Sequence, residues 1–403
     1  MTKPNRDEFR RDVLLSSGAT AQAAGELLRY GQNEVDDDAL ATEIYLPLQD
    51  ESFVAPWEQY AKEMVNAGTV QVLARYLVQL QFPIRSKISC ETEYISATRC
   101  GADPSRMKSA TGSFLRRPED CSIELHSTPT GRIPVVTIPD RQDFVSITRA
   151  LTCKNEPIAI PASQGACFVS GYKNWPRFRS LVSKNREGRI CAEADVLAIT
   201  RKQKHLYQDK FVLLTSGPYS GVSANELGLE DEEWDLFSWR IRLEHECTHY
   251  IIQRLLGVTK GGVLAEIIAD YCGITAVRGS FSSEWFLRFM GLECYPEFRD
   301  SGRLANYRGT PPVSSESFRV LQTLVVQAAR NLQSVDSTYQ HAIQTSRAQL
   351  AFIAGISALT LEEVASDACA DLIARKSHYY ERVFLPVDIR LNSKLSAASS
   401  GGN

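Results

Sequence analysis

The chain has 403 residues, 43% hydrophobic and 23% charged, with 45 Lys and Arg against 48 Asp and Glu and a formal net charge of −3 at pH 7. This is the composition of an ordinary soluble globular protein, long enough for two or three subdomains. The near-balanced charge argues against nucleic acid or an anionic membrane surface as a partner.

The N-terminus, Met1-Thr2-Lys3-Pro4-Asn5-Arg6-Asp7-Glu8, runs into charge instead of an apolar stretch, so no signal peptide is expected. The spacing of Phe9, Val13 and Leu14, then of Ala21, Ala24, Leu27 and Leu28, predicts one or two short helices over 6–31, with Gly31 as the stop. Asp36-Asp37-Asp38 reads as a solvated loop. Residues 57–82 read as helical stretches broken near Gly68, with Leu73, Tyr76, Leu77 and Leu80 forming an apolar stripe of core character. From Cys100 to Asp120, Gly101, Pro104, Gly112 and Pro118 mark a loop.

An α/β passage follows. Residues 122–126 alternate like a half-buried strand, Thr130-Gly131 forms a turn, and 133–138 give a second strand. Asp140 is placed to cap a helix running to about Leu151, with Phe144 and Ile147 on one face. Further strands are expected at 167–170 and 211–215. Ser223 and Glu226 have capping-box spacing, and a long helix starts near Asp231-Glu232-Glu233, whose carboxylates suit the positive end of its dipole. Gly257 ends it.

A second helix is expected over 263–277, after a Gly261-Gly262 turn. Residues 279–315, rich in Gly and Pro, read as loop. Helices are expected at 316–333, 335–355 and 360–374, and 396–403 as a disordered tail. The reading is therefore α+β, mainly α. It comprises a helical N-terminal region (1–100), an α/β region (120–280), a helical C-terminal region (281–395) and the tail. No window reaches about 18 uninterrupted apolar residues, so no membrane span is expected. The ten cysteines are scattered, without a C-x-x-C pair or zinc-finger spacing, and read as reduced thiols of a cytoplasmic protein. No phosphate-binding glycine motif occurs.

The long helix carries His245-Glu246-Cys247-Thr248-His249, an H-E-x-x-H spacing. Residues four apart on an α-helix lie only about 40° apart around the axis, so both imidazoles can bind one metal ion. Glu246 falls about 100° round from His245, within reach of a water on that metal. The competing reading is a helix with two partly buried structural histidines. Trp234, Phe237, Ile241, His245, Thr248 and Ile252 follow helical spacing, so the metal face is also the inward face. Cys247 points about 160° away from both histidines, which favours packing over ligation. Trp234, Phe237 and Trp239 read as packing residues.

Catalytic zinc usually has three protein ligands and a water. Glu266 follows His249 after sixteen residues, and Asp270 stands one turn further on the same helix face. Asp270 is the rival third ligand.

This pattern, H-E-x-x-H, a turn, then E-x-x-x-D, resembles the gluzincin-type zinc metallopeptidases. The resemblance is close over about 25 residues. It implies a zincin-like core, Zn2+ as cofactor, His245, His249 and Glu266 as ligands, and Glu246 as general base. It also implies Asp270 as the acid that fixes the tautomer of a ligand histidine. Strand 211–215 suits the group's layout, in which a sheet edge holds an extended peptide. The sixteen-residue spacer is shorter than in several familiar members. For the group that stabilises the oxyanion, His341, Arg375, His378, Tyr379 and Tyr380 are available. The whole chain, notably 120–275, also resembles an uncharacterised bacterial family of soluble proteins.

The expectation is a zinc-dependent hydrolase, a metallopeptidase acting on a peptide or protein. The alternatives are a metal-dependent amidase or deacylase on a small substrate, or a zinc-binding regulatory protein without turnover. Nothing in the sequence sets an oligomeric state.

Overall fold

In the computed structural model, which describes residues 3–31, 43–186, 203–257, 262–339 and 346–386, helices begin and end where the sequence supplies capping groups. In chain order the described elements are α1 (Lys3–Ser16), α2 (Ala21–Tyr30), β1 (Ile44–Leu46), α3 (Val54–Ala67), α4 (Thr69–Tyr76) and α5 (Thr92–Cys100). There follow β2 (Ser122–Thr128), β3 (Gly131–Thr137), α6 (Arg141–Thr152), β4 (Ala166–Lys173), α7 (Trp175–Arg186), β5 (Gln208–Leu214) and α8 (Ala224–Leu227). The remainder is α9 (Asp231–Leu256), α10 (Val263–Arg278), α11 (Ser283–Met290), α12 (Ser315–Tyr339), α13 (Ser346–Ser357), α14 (Leu361–Ala365), α15 (Cys369–Val383) and β6 (Phe384–Pro386).

Asp140 accepts the backbone N–H groups of Gln142 and Asp143 at the start of α6. Ser223 and Glu226 close the expected capping box on α8. Helix α9 opens on Asp231, Glu232 and Glu233 and stops at Gly257, whose φ of 69° is left-handed and costs glycine little.

The chain is mainly helical with a small mixed sheet, and it divides into two compact units. One comprises Asp50–Thr128 and Arg132–Tyr250. Its four-stranded sheet has the order β2-β3-β5-β4, with β3 and β5 parallel and β4 and β5 antiparallel. Phe211, Val212, Leu213 and Leu214 are all fully buried, an unbroken apolar run that needs cover on both sheet faces. Trp57, Phe144, Ile147, Leu243, Cys247 and Tyr250 join them in one core. Leu243, Cys247 and Tyr250, at helical spacing, are the face by which α9 joins this core.

The same unit holds a buried charge. Asp209 pairs with Arg177 at 2.7 Å and accepts hydrogen bonds from Asn174 Nδ2 at 2.7 Å and Trp57 Nε1 at 2.9 Å. Burial pushes its carboxyl above the usual range, and Arg177 pulls the other way.

The other unit comprises Met1–Gln49, Pro129–Gly131 and Ile251–Asn403. Phe318, Leu321, Val325, Ala328, Leu332 and Val335 form the buried stripe of α12. Arg6 pairs with Glu363 at 2.6 Å and Arg10 with Glu362 at 3.1 Å, joining α1 to α14. Asp336 accepts from Tyr271 Oη at 2.6 Å and from the Phe281 N–H at 2.9 Å.

Four expectations change. Strand β5 is interior, flanked by β3 and β4, so the 211–215 strand offers no edge; among the described strands of the sheet, β2 and β4 are outermost. The 279–315 stretch contains α11, where Ser282 caps the helix and Trp285, Phe286, Phe289 and Met290 are buried. There, apolar burial outweighs the glycines and prolines on either side. Helix α12 runs on to Tyr339 instead of stopping at 333, and the last helix extends to Val383. The Ile44–Leu46 and Phe384–Pro386 strands pair in parallel, which nothing in the sequence pattern announces. The Asp36–Asp38 loop, Gly261, His341 and the 396–403 tail lie outside the described residues.

Leu243 anchors α9 in the core of the sheet-containing unit, so Leu243→Ala should lower stability by about 2–5 kcal/mol. Val65, 79% exposed, is the control, and Val65→Ala should stay within about 0.5 kcal/mol of the parent. Urea denaturation followed by circular dichroism separates the two; equal midpoints would contradict this packing.

Candidate metal centre

The α-helical repeat brings His245 and His249 together as the sequence requires. Their Nε2 atoms stand 3.2 Å apart, with ring planes crossed at 77°. His245 is 6% exposed and His249 half-buried. Glu246 is buried between them in sequence, and its charge adds to burial in pushing the Cys167 thiol on β4 up to about 12. Thr248 turns inward and its hydroxyl bonds the Glu244 carbonyl at 2.7 Å.

His245 has a partner behind it. The hydroxyl of Tyr219 lies 3.1 Å from Nδ1, on the side of the ring away from His249. The Tyr219 backbone N–H donates to Ser238 Oγ at 2.9 Å. Arg242 donates from Nη2 to the Pro218 carbonyl at 2.9 Å, and its guanidinium lies 5.7 Å from the centroid of the Tyr219 ring. Burial pulls the Arg242 pKa down to about 10, because a guanidinium out of water is less favoured as a cation. Gly165 makes room for it: a Cβ there would sit 2.3 Å from Arg242 Nε.

Helix α10 supplies the acids. Glu266 is half-buried, and Tyr307 hydrogen-bonds its carboxylate. Burial, then the Glu266 charge, raises the Tyr307 phenol well above its ordinary value. Asp270 is fully buried and accepts from Arg303.

Ligand atoms of His245, His249 and Glu266 all lie within 4.8 Å of one another and could hold a metal ion. Asp270, the rival third ligand, is not one of the three. Two nitrogens on one tetrahedral zinc, each about 2.0–2.1 Å from it, stand about 3.3 Å apart, close to the separation of the two Nε2 atoms. Two imidazoles and a carboxylate are also a donor set that suits zinc.

Cys247 is buried in the core on the sheet side of α9, away from the histidine face, and burial raises its thiol well above the ordinary value. Trp234 is buried and donates to the Val222 carbonyl at 2.7 Å, Trp239 packs against the sheet core, and Phe237 is half-buried. Of the residues considered for the oxyanion, Arg375 reaches back to the Asp371 carbonyl, and His378 is largely exposed beside Glu381. Tyr380 is buried against Phe384, and Tyr379 packs edge-on to Tyr380. Tyr219, Arg242, Arg303 and Tyr307 went unnoticed in the sequence. Three of them lie far from the motif in the chain, where helical spacing has no reach. Arg242 alone could have been found, one turn before His245 on the same helix.

The chain belongs to a family of unknown function, DUF7005, whose model matches residues 12–368. No curated protein and no solved structure matches it. No described helix is long and apolar enough to cross a membrane.

The burial pattern predicts which thiols react. Alkylation of the folded protein at mildly alkaline pH should label the exposed Cys90, Cys100 and Cys294 and spare Cys121 and Cys247 until denaturant is added. Peptide mass spectrometry reads this directly, and rapid labelling of Cys247 would contradict its placement against the sheet.

Proposed function

We propose that this chain is a zinc-dependent hydrolase with a zincin-like core, and specifically a metallopeptidase that cleaves an amide bond in a peptide or protein. The observation that carries the reading is the convergence of His245, His249 and Glu266, with the two Nε2 atoms 3.2 Å apart. These three would hold the zinc. The resemblance to gluzincins supports the same assignment.

Bound zinc supplies an acidified water at neutral pH and a Lewis acid for the carbonyl. Glu246, on the same helix and buried, takes the proton of the attacking water. Its carboxylic acid then delivers that proton to the departing amine, so the carboxylate is regenerated and no proton is lost from the cycle. Tyr307 hydrogen-bonds the Glu266 carboxylate and so helps to hold that ligand in place. The outer strand β4, which carries Cys167 within the field of Glu246, is the edge on which an extended peptide would add. Asp270, paired with Arg303, would be a supporting acid of the α10 helix and not a ligand.

Glu246→Gln should keep zinc and lower turnover by about 10²–10⁴-fold. Glu266→Ala should lose zinc, while Asp270→Asn should retain it. Metal analysis and digestion of a peptide library by each purified variant check these outcomes. Undiminished hydrolysis by Glu246→Gln would overturn the base assignment. Cleavage of small amides but not of peptides would favour the amidase reading, and zinc bound with no turnover on either would favour a regulatory protein.

A further inference from the structure

We propose that Tyr219 is a positioning residue that sets the tautomer of His245, and that α9 itself holds Tyr219 in place through Ser238 and Arg242. The inference rests on the reading of His245 as a metal ligand through Nε2. A neutral imidazole has one N–H and one lone pair. With the lone pair on Nε2, turned towards His249 Nε2 at 3.2 Å, the proton sits on Nδ1. The Tyr219 hydroxyl oxygen, 3.1 Å away, then accepts from Nδ1–H. This contact does for His245 what a carboxylate does in many metal sites, but with a neutral group.

The geometry of the clamp explains why a turn residue, 26 positions before His245, can be held so closely. Ser238, Arg242 and His245 are spaced i, i+4, i+7 and so share one face of α9. Ser238 Oγ accepts the Tyr219 N–H, Arg242 Nη2 donates to the Pro218 carbonyl, and His245 meets the Tyr219 hydroxyl. Three consecutive contacts along one helix face thus fix a single tight turn, Tyr219–Gly221, in which Ser220 adopts a left-handed φ of 54°. Tyr219, Ser238 and Arg242 are all buried, so water competes little for these contacts. The guanidinium beneath the Tyr219 ring adds a cation–π contact that fixes the ring plane. It fits there only because residue 165 has no side chain. Among the described residues Arg242 Nε and Nη1 have no hydrogen-bond partner, so its packing on the ring and its bond to Pro218 define its place. A phenol polarises the imidazole less than a carboxylate would, which leaves the ligand less basic.

The test uses the full chain and the metal alone. Zinc affinity is measured against a competing chelator for the wild type and Tyr219→Phe, with circular dichroism as the folding check. The expected loss is about 10–100-fold in affinity. Long-range nitrogen-proton correlation NMR of the wild-type protein, with and without zinc, reads the His245 tautomer without any variant. The proton is expected on Nδ1, with its exchange accelerated in Tyr219→Phe. Equal zinc affinity in a folded Tyr219→Phe protein, or a His245 ring protonated on Nε2 in the zinc-free protein and metal-bound through Nδ1, would overturn the inference. Failure of the wild type to bind zinc would overturn the metal reading instead, and the tautomer in the zinc-free protein would still decide the role of Tyr219.

Discussion

Two imidazole nitrogens held 3.2 Å apart on one helix are the constraint around which the site is arranged. Helical geometry fixes their spacing, and packing fixes the helix. Leu243, Cys247 and Tyr250 anchor α9 in the sheet core, which leaves the opposite face for His245 and His249. At that separation two neutral rings can share one hydrogen only if one donates and the other accepts. A cation between the two lone pairs satisfies both at once. Glu266 adds the negative charge that such a cation needs, since two neutral ligands alone would leave it uncompensated in a partly buried position.

The protein keeps its buried acids under separate control. Asp270 is fully buried but paired with Arg303, and Asp209 is paired with Arg177 at 2.7 Å. Glu266 is half-buried, and Tyr307 hydrogen-bonds its carboxylate. Arg242 shows the complementary case, a buried cation held against an aromatic ring and a carbonyl.

Much of this was legible in the chain because it depends on short-range spacing. The start of α9 at Asp231, its stop at Gly257, the Asp140 cap and the Ser223–Glu226 capping box are local devices whose residues lie within one turn of each other. The pairing of His245 with His249 is of the same kind, and Glu266 stands on the next helix. What the pattern could not supply is long-range. Strand β5 reads as apolar whether it lies at an edge or in the interior, and only pairing with both β3 and β4 decides it. Helix α11 was hidden because glycine and proline frequency describes its flanks and not its buried aromatic residues. Tyr219 and Tyr307 were invisible for a related reason. A tyrosine in a turn carries no periodic signal, and its role follows from which side chain it meets.

Diffraction from crystals of the zinc-loaded protein, recorded at the zinc absorption edge, tests the central claim most directly. The account predicts one strong anomalous peak within bonding distance of His245 Nε2, His249 Nε2 and a Glu266 carboxylate oxygen. An empty position there, with zinc bound to other residues or not at all, would contradict it.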